Sequence, residues 1–376
     1  MKAARNLWAV LLFTLCFLPM AEALAGQSVR LLVKTSAKPV KIEGLDLRSV
    51  VAGRRGDRAL ESSLSLSVRG GSLLLNGVSL GSQSFRVESL ATYLWLDGVE
   101  FRGPMEFRVQ DGQTIQVINH LDLEAYLVGS VASEMPVAWP MEALKAQAIV
   151  ARSYTLSRLK ERAGEVFDLH ATVQDQVYHG AERERHRAAV AVKETRGLIL
   201  QYDGHVVHAY YHAICGGGTE HPPSVWPKAP SFPPRVKCTE CLAVPQSQWS
   251  HRVTGAEMAK RLAVEGFSSN GVIAVRGLER NPSGRWESVK VIGTHDVKIF
   301  PGNTFRRLMG YGAIRSLRFE VRLEQDVFLF EGAGFGHGVG LCQWGAQRMA
   351  LDGARHAAIL ARYYPGAILT PMRTSW

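Results

Sequence analysis

Between residues 27 and 118 apolar positions alternate with polar ones, or run in short blocks between Gly, Ser and Asp turns. The stretches 28–33, 63–68 and 86–87 read as strands on that pattern. Residues 103–118 continue it through the Asp111-Gly112 pair, which reads as a hairpin turn. This part of the chain, residues 26–118, is expected to be a small β domain.

At Asn119 the pattern changes. Asp122 is placed to cap a helix, and Pro136 disfavours helical geometry at Met135, so that helix should stop near Glu134. Pro140 fits the first turn of a second helix reaching about Ala163. Its small residues Ala143, Ala146, Ala148 and Ala151 predict close packing. Strands return over 197–214 with Asp203-Gly204 as a turn, and 216–235 is a Gly/Pro-rich loop. A short helix is expected over 254–265, and strands over 270–330 with a helical piece near Phe305. A glycine-rich loop at 332–340 precedes two helices, about 341–352 and 354–364. Without a regular βαβ beat this is an α+β architecture: an N-terminal small β domain, then a mixed α+β core over 119–376 with a substrate cleft.

The first 25 residues change the picture of where the chain works. Lys2 and Arg5 precede an apolar run over 7–18, and Ala23-Leu24-Ala25 supplies a small-x-small site. This reads as a secretory signal peptide that leaves Gly26 as the new N-terminus, with an uncleaved anchor as the alternative. No later stretch is apolar for long enough to span a bilayer. The whole chain carries a formal charge of +10, and the exported part stays near +9 once Lys2, Arg5 and Glu22 leave. That favours a polyanionic neighbour, acidic cell wall or anionic lipid for an exported chain, with export arguing against nucleic acid; the alternative is that the charge only keeps the chain soluble.

Four places carry candidate chemistry. Glu134 ends a helix among apolar residues, and both conditions raise a carboxyl pKa toward that of a general acid. The alternative is an exposed helix-end glutamate without a role. Lys145 and Arg152, two turns apart, share a helix face suited to an acidic sugar, or simply a solvated face. Gln147, Ser153 and Tyr154 add a polar-aromatic mix of the kind a glycan surface uses. His212 and Cys215, with Cys238 and Cys241, have the paired spacing of a closed, structural zinc site; a disulfide in an oxidising compartment, or free thiols, are the competing readings. His208 or His221 would also serve in place of His212. Glycines at 334, 336, 338 and 340 allow positive-φ backbone and close ligand approach around His337, a candidate substrate contact, or else form a purely structural turn with an exposed histidine.

In order, the segments 126–136 (through Ser133-Glu134-Met135-Pro136), 139–154, 175–180, 195–197, 211–220, the Cys238/Cys241 pair, and 334–366 resemble the stage II sporulation protein D / LytB family. The resemblance covers roughly residues 115–370. It implies a cell-wall protein whose characterised sporulation members are lytic transglycosylases. These cleave the N-acetylmuramyl–N-acetylglucosaminyl bond of peptide-stripped peptidoglycan glycan strands without water, leaving a 1,6-anhydro ring. The resemblance makes Glu134 the acid/base, and Lys145 and Arg152 residues that matter to activity. Tyr178, His337 and Gln343 are expected substrate contacts beside them. Some sporulation members hold a zinc near the cleft. Other members are amidase enhancers, so a cell-wall amidase is the partner the alternative reading implies. Cys342 departs from the serine common at its place.

Overall fold

The computed structural model describes residues 27–372, apart from positions 52, 53, 57 and 58. The expected signal peptide, residues 1–25, lies outside the described residues.

Two sheets build the N-terminal part. One has the spatial order Leu169–His170, Ser28–Ser36, Thr114–Asp122, Met105–Gln110, Ser84–Ser89, Leu47–Val51, Arg54–Arg55. The other runs Val99–Arg102, Tyr93–Leu96, Val40–Gly44, Ser63–Arg69, Ser72–Leu75, Val78–Ser79. Alternation sorts their faces. Val29, Leu31, Val117 and Ile115 of the first sheet and Val40, Ile42, Leu64 and Leu66 of the second point into one core. The expected hairpin joins Met105–Gln110 to Thr114–Asp122, with Asp111 and Gly112 at positive φ in its turn.

The boundary expected after residue 118 falls inside a strand. Thr114–Asp122 pairs with Ser28–Ser36 from Ile115 to Asp122. Ser28–Ser36 also pairs, in parallel, with Leu169–His170 from much later in the chain. The core under these strands includes Leu127, Val131, Leu144 and Ala148, so sheet and helices bury one apolar surface together.

Helix α1 is Leu123–Glu134. Asp122 caps it, its side chain accepting the N–H groups of Glu124 and Ala125 at 2.9 and 3.2 Å. It ends where expected, with Met135 extended before Pro136. Helix α2, Met141–Glu161, starts directly after Pro140. Between residues 143 and 156 only Lys145 escapes burial. Ala143, Leu144, Ala148 and Ala151 face the first core. Ala146, Ile149 and Val150 join a second core with Leu200, Val207, Leu341, Ala346 and Tyr363. A helix without a polar face is one that is packed on all sides. Helix α3, His186–Glu194, packs beside α1 and α2. It has no counterpart among the expected elements, because Ala188, Ala191 and Val192 are too few buried positions to leave a visible stripe.

A further β unit spans residues 248–333. Strand Gln248–Thr254 pairs with Val327–Ala333, which pairs with Phe319–Glu324. A second three-stranded sheet, Val272–Arg280, Trp286–Gly293 and Val297–Pro301, carries the helices Gly255–Leu262 and Gly302–Met309. Trp249, Phe300, Phe305, Phe319 and Phe330 centre a third core of its own. The chain enters and leaves this unit at Gln248 and Ala333, which face each other in one antiparallel pair. The closing helices are Gln343–Leu351 and His356–Tyr363.

Candidate active site

Glu134 is the last residue of α1, and three neighbours hold it. Its Oε1 accepts the Val177 N–H at 2.6 Å. Its backbone carbonyl accepts from Gln343 Nε2 at 3.2 Å. The Tyr211 side chain lies beside its carboxylate, close enough to favour the ionised form, although no hydrogen bond closes between them. Burial is the largest influence and pushes the Glu134 pKa up to about 7, against the Val177 N–H and the Tyr211 hydroxyl. The helix C-terminus acts in the same direction as burial. Near neutral pH this group is divided between acid and carboxylate, so it can give a proton and take one back. Burial keeps the Tyr211 phenol protonated, and its hydroxyl is buried without a partner.

Side chains on either side fix the backbone that supplies the Val177 N–H. Asp175 accepts from the Tyr154 hydroxyl at 2.9 Å, Arg158 at 3.0 Å, Arg162 at 3.2 Å and the His170 N–H at 2.8 Å. Gln176 Oε1 accepts the hydroxyls of Tyr126 and Thr155 at 3.0 and 2.8 Å. The donor is main chain, so residue type at 177 gave no signal for it; Tyr211 was visible in the sequence only as part of a motif.

Tyr178 is placed in the core and not on a cleft. Its ring packs on Tyr126 and Phe101 and lies so close to Gly129 that a Cβ there would stand 2.4 Å from it. Arg152 is likewise not a substrate contact here. Its guanidinium is fully buried, bidentate to Glu124 at 2.7 and 2.8 Å, and also donates to the Leu198 carbonyl at 3.1 Å. Residues 145 and 152 do not share a solvated face, because α2 is enclosed at the level of Arg152. For the same reason Ser153 and Tyr154 are buried: Ser153 accepts the Leu200 N–H at 2.9 Å. Lys145, which does reach the surface, is paired with Glu142 at 2.9 Å and Glu194 at 2.7 Å. Gln147 is buried and meets Gln343 at 3.5 Å, so it supports the glutamine that holds Glu134.

The glycine-rich loop has positive φ at Gly334, Gly336, Gly338 and Gly340. The need is steric: a Cβ on Gly340 would lie 2.0 Å from the Tyr210 carbonyl. His337 is partly exposed beside the rings of Trp226 and His212. Its Nδ1 accepts the Val339 N–H at 3.0 Å, and burial with the nearby His212 keeps the ring neutral. Two open hollows, of about 800 and about 470 Å3, lie on the 248–333 unit and on the N-terminal sheets. Glu134 lines neither of them.

His212 is not the fourth member of the sulfur cluster. Cys215, Cys238, Cys241 and Cys342, all buried, bring their Sγ atoms within 4.8 Å of one another. The parallel pairing of Tyr211–His212 with Leu341–Cys342 delivers Cys342 to Cys215, whose N–H points at Cys342 Sγ at 3.3 Å. His212 instead donates from Nδ1 to the Val339 carbonyl at 3.0 Å. His208 pairs with Glu161, and His221 bonds the Ser231 carbonyl. All four cysteines are free of disulfides.

Glu134 thus ends α1 within an α+β core, with its pKa raised toward neutrality chiefly by desolvation. The family model described as "Stage II sporulation protein" matches residues 111–202, which include α1, Glu134 and α2. A second, "Domain of unknown function (DUF8618)", matches residues 245–340, the inserted β unit and the glycine-rich loop. An uncharacterised protein of Brachyspira hyodysenteriae is 33% identical over 273 residues, 72% of each chain. Stage II sporulation protein D of Bacillus amyloliquefaciens is 30% identical over 268 residues, 66% of this chain and 74% of that one. The amidase enhancer of Bacillus subtilis is 26% identical over 360 residues, 81% of this chain but 50% of the relative. The chain belongs to the stage II sporulation protein D / LytB family, and its role is related to the cell wall.

Proposed function

We propose that this protein is an exported peptidoglycan lytic transglycosylase with Glu134 as its single acid/base. The observation that supports this reading is the Glu134 pKa of about 7 at the end of α1. The protonated carboxyl gives its proton to the glycosidic oxygen as the muramyl C1–O bond breaks. The carboxylate left behind takes the proton of the muramyl 6-hydroxyl, whose oxygen closes on C1. Atoms balance without water, so the second carboxylate of a hydrolysing glycosidase is not needed. The Val177 N–H steadies the carboxylate between the two steps, and the buried Tyr211 side chain beside it helps to hold its place. Digestion of peptide-stripped glycan strands should yield 1,6-anhydromuramyl ends by mass spectrometry. Glu134→Gln should lower their rate of formation by about 10²- to 10⁴-fold, the usual contribution of general acid–base catalysis. Hydrolysed ends in their place, or a fully active Glu134→Gln protein, would exclude this chemistry.

The relative named amidase enhancer favours a second reading, a wall-binding protein that stimulates a cell-wall amidase. It predicts stimulation that survives Glu134→Gln, with no cleavage of glycan by the protein alone.

A further inference from the structure

We propose that Cys215, Cys238, Cys241 and Cys342 bind one structural zinc ion as four thiolates. Four facts of the site carry this. The Sγ atoms all lie within 4.8 Å of one another, and the Cys215–Cys241 pair is at 3.4 Å. A zinc tetrahedron with bonds of about 2.3 Å sets its sulfurs about 3.8 Å apart, whereas a disulfide draws two of them to about 2.05 Å. All four side chains are inaccessible to solvent. Four sulfurs gathered around one point match the ligand count of a closed zinc site, and a four-sulfur set leaves no position for water, so the site is structural.

The surroundings fit the charge of such a centre. Two of the thiolate charges exceed those of the ion, and donors and a cation face them. The Cys215 N–H points at Cys342 Sγ, and the Tyr363 hydroxyl lies 3.2 Å from Cys238 Sγ. The buried guanidinium of Arg285 donates to the Cys215 carbonyl at 2.6 Å. Cys342 stands at the N-cap of helix Gln343–Leu351. Hydrogen bonds and dipoles of this kind orient the ligands and offset their charge.

The ion would clamp three segments from distant parts of the chain, two of them already strand-paired: the strand carrying Tyr211, the 238–241 turn and the start of the helix carrying Gln343. Tyr211 and Gln343 are two of the groups against Glu134, so metal content and site geometry are linked. The metal assignment itself does not depend on the transglycosylase reading.

The experiment is metal analysis of protein purified without chelator, followed by replacement of the bound ion with cobalt(II). We expect one zinc per chain and a cobalt spectrum of four-sulfur tetrahedral type. Cys342→Ser should change that spectrum or lose the metal, while His212→Ala should keep both. If Cys342→Ser does not accumulate as folded protein, the spectrum of the parent decides alone. A three-sulfur, one-nitrogen spectrum would return His212 to the site and overturn the assignment. Metal-free protein with two disulfides in peptide maps, or with four titratable thiols, would overturn it as well.

Discussion

A carboxyl group held near pKa 7 weakens the fold that holds it. The ordinary value is 4.5, so the folded protein binds this proton more tightly than the unfolded chain does. The stabilisation is complete below pH 4.5 and is lost as the pH rises through about 7. Glu134→Gln keeps the oxygen that accepts from Val177 and removes the charge. We expect it to match the parent at pH 4 and to exceed it at pH 8 by up to about 3 kcal/mol, from 1.36 kcal/mol per pKa unit. Urea unfolding at the two pH values checks this, and equal stability gains at both would count against a desolvated carboxyl. The sequence made Glu134 visible through Pro136, which ends the helix, and through its apolar neighbours. It could not show Val177, whose contribution is a main-chain N–H, nor that Tyr211 comes to Glu134 from a strand that is distant in sequence.

At the scale of elements, α2 explains both a success and a failure of the sequence reading. Pro140 and the run of alanines marked the helix and its close packing. The same alanines gave no hint that it is enclosed by two cores, so a cation at position 152 read as surface. Its removal should therefore act on stability and not on substrate affinity. Arg152→Met leaves Glu124 and the Leu198 carbonyl without their donor. A loss of about 3–5 kcal/mol is expected, the usual result of breaking a buried pair by removing one partner. Chemical unfolding measures it; a Michaelis constant for glycan that rises with stability unchanged would restore Arg152 as a substrate contact. The cysteines teach a similar lesson. The Cys-x-x-Cys pair was legible from spacing, but Cys342 stands alone in sequence and joins only because its strand runs parallel to Tyr211–His212.

For the whole molecule, the excess of positive charge is a statement about association and not about fold. Retention on isolated wall sacculi should fall as salt is raised, because charges further apart than about 10 Å are screened at 0.1 M. Pelleting assays across a salt series test this; retention indifferent to salt would mean that contact chemistry, not field, holds the protein to the wall. The α+β class was readable from the mixture of alternating and helical patterns. The division into parts was not, because pairing of strand Ser28–Ser36 with residues 169–170 and of Gln248 with Ala333 joins positions far apart in the chain.

That last pair has an evolutionary meaning. A segment whose two ends sit side by side can be acquired or discarded without moving the scaffold, much as a paragraph can be cut between two adjoining lines. What ties it down here is a small polar seam. Buried Glu220 of the scaffold receives Asn281 and Ser283 of the insert at 2.6 and 2.5 Å, and Arg285 crosses to the Cys215 carbonyl. Without the insert the Glu220 carboxylate would lose these donors, and Arg235 alone would remain as its side-chain cation. The removable segment is thus tied to the rest of the chain through one buried carboxylate as well as through its paired ends.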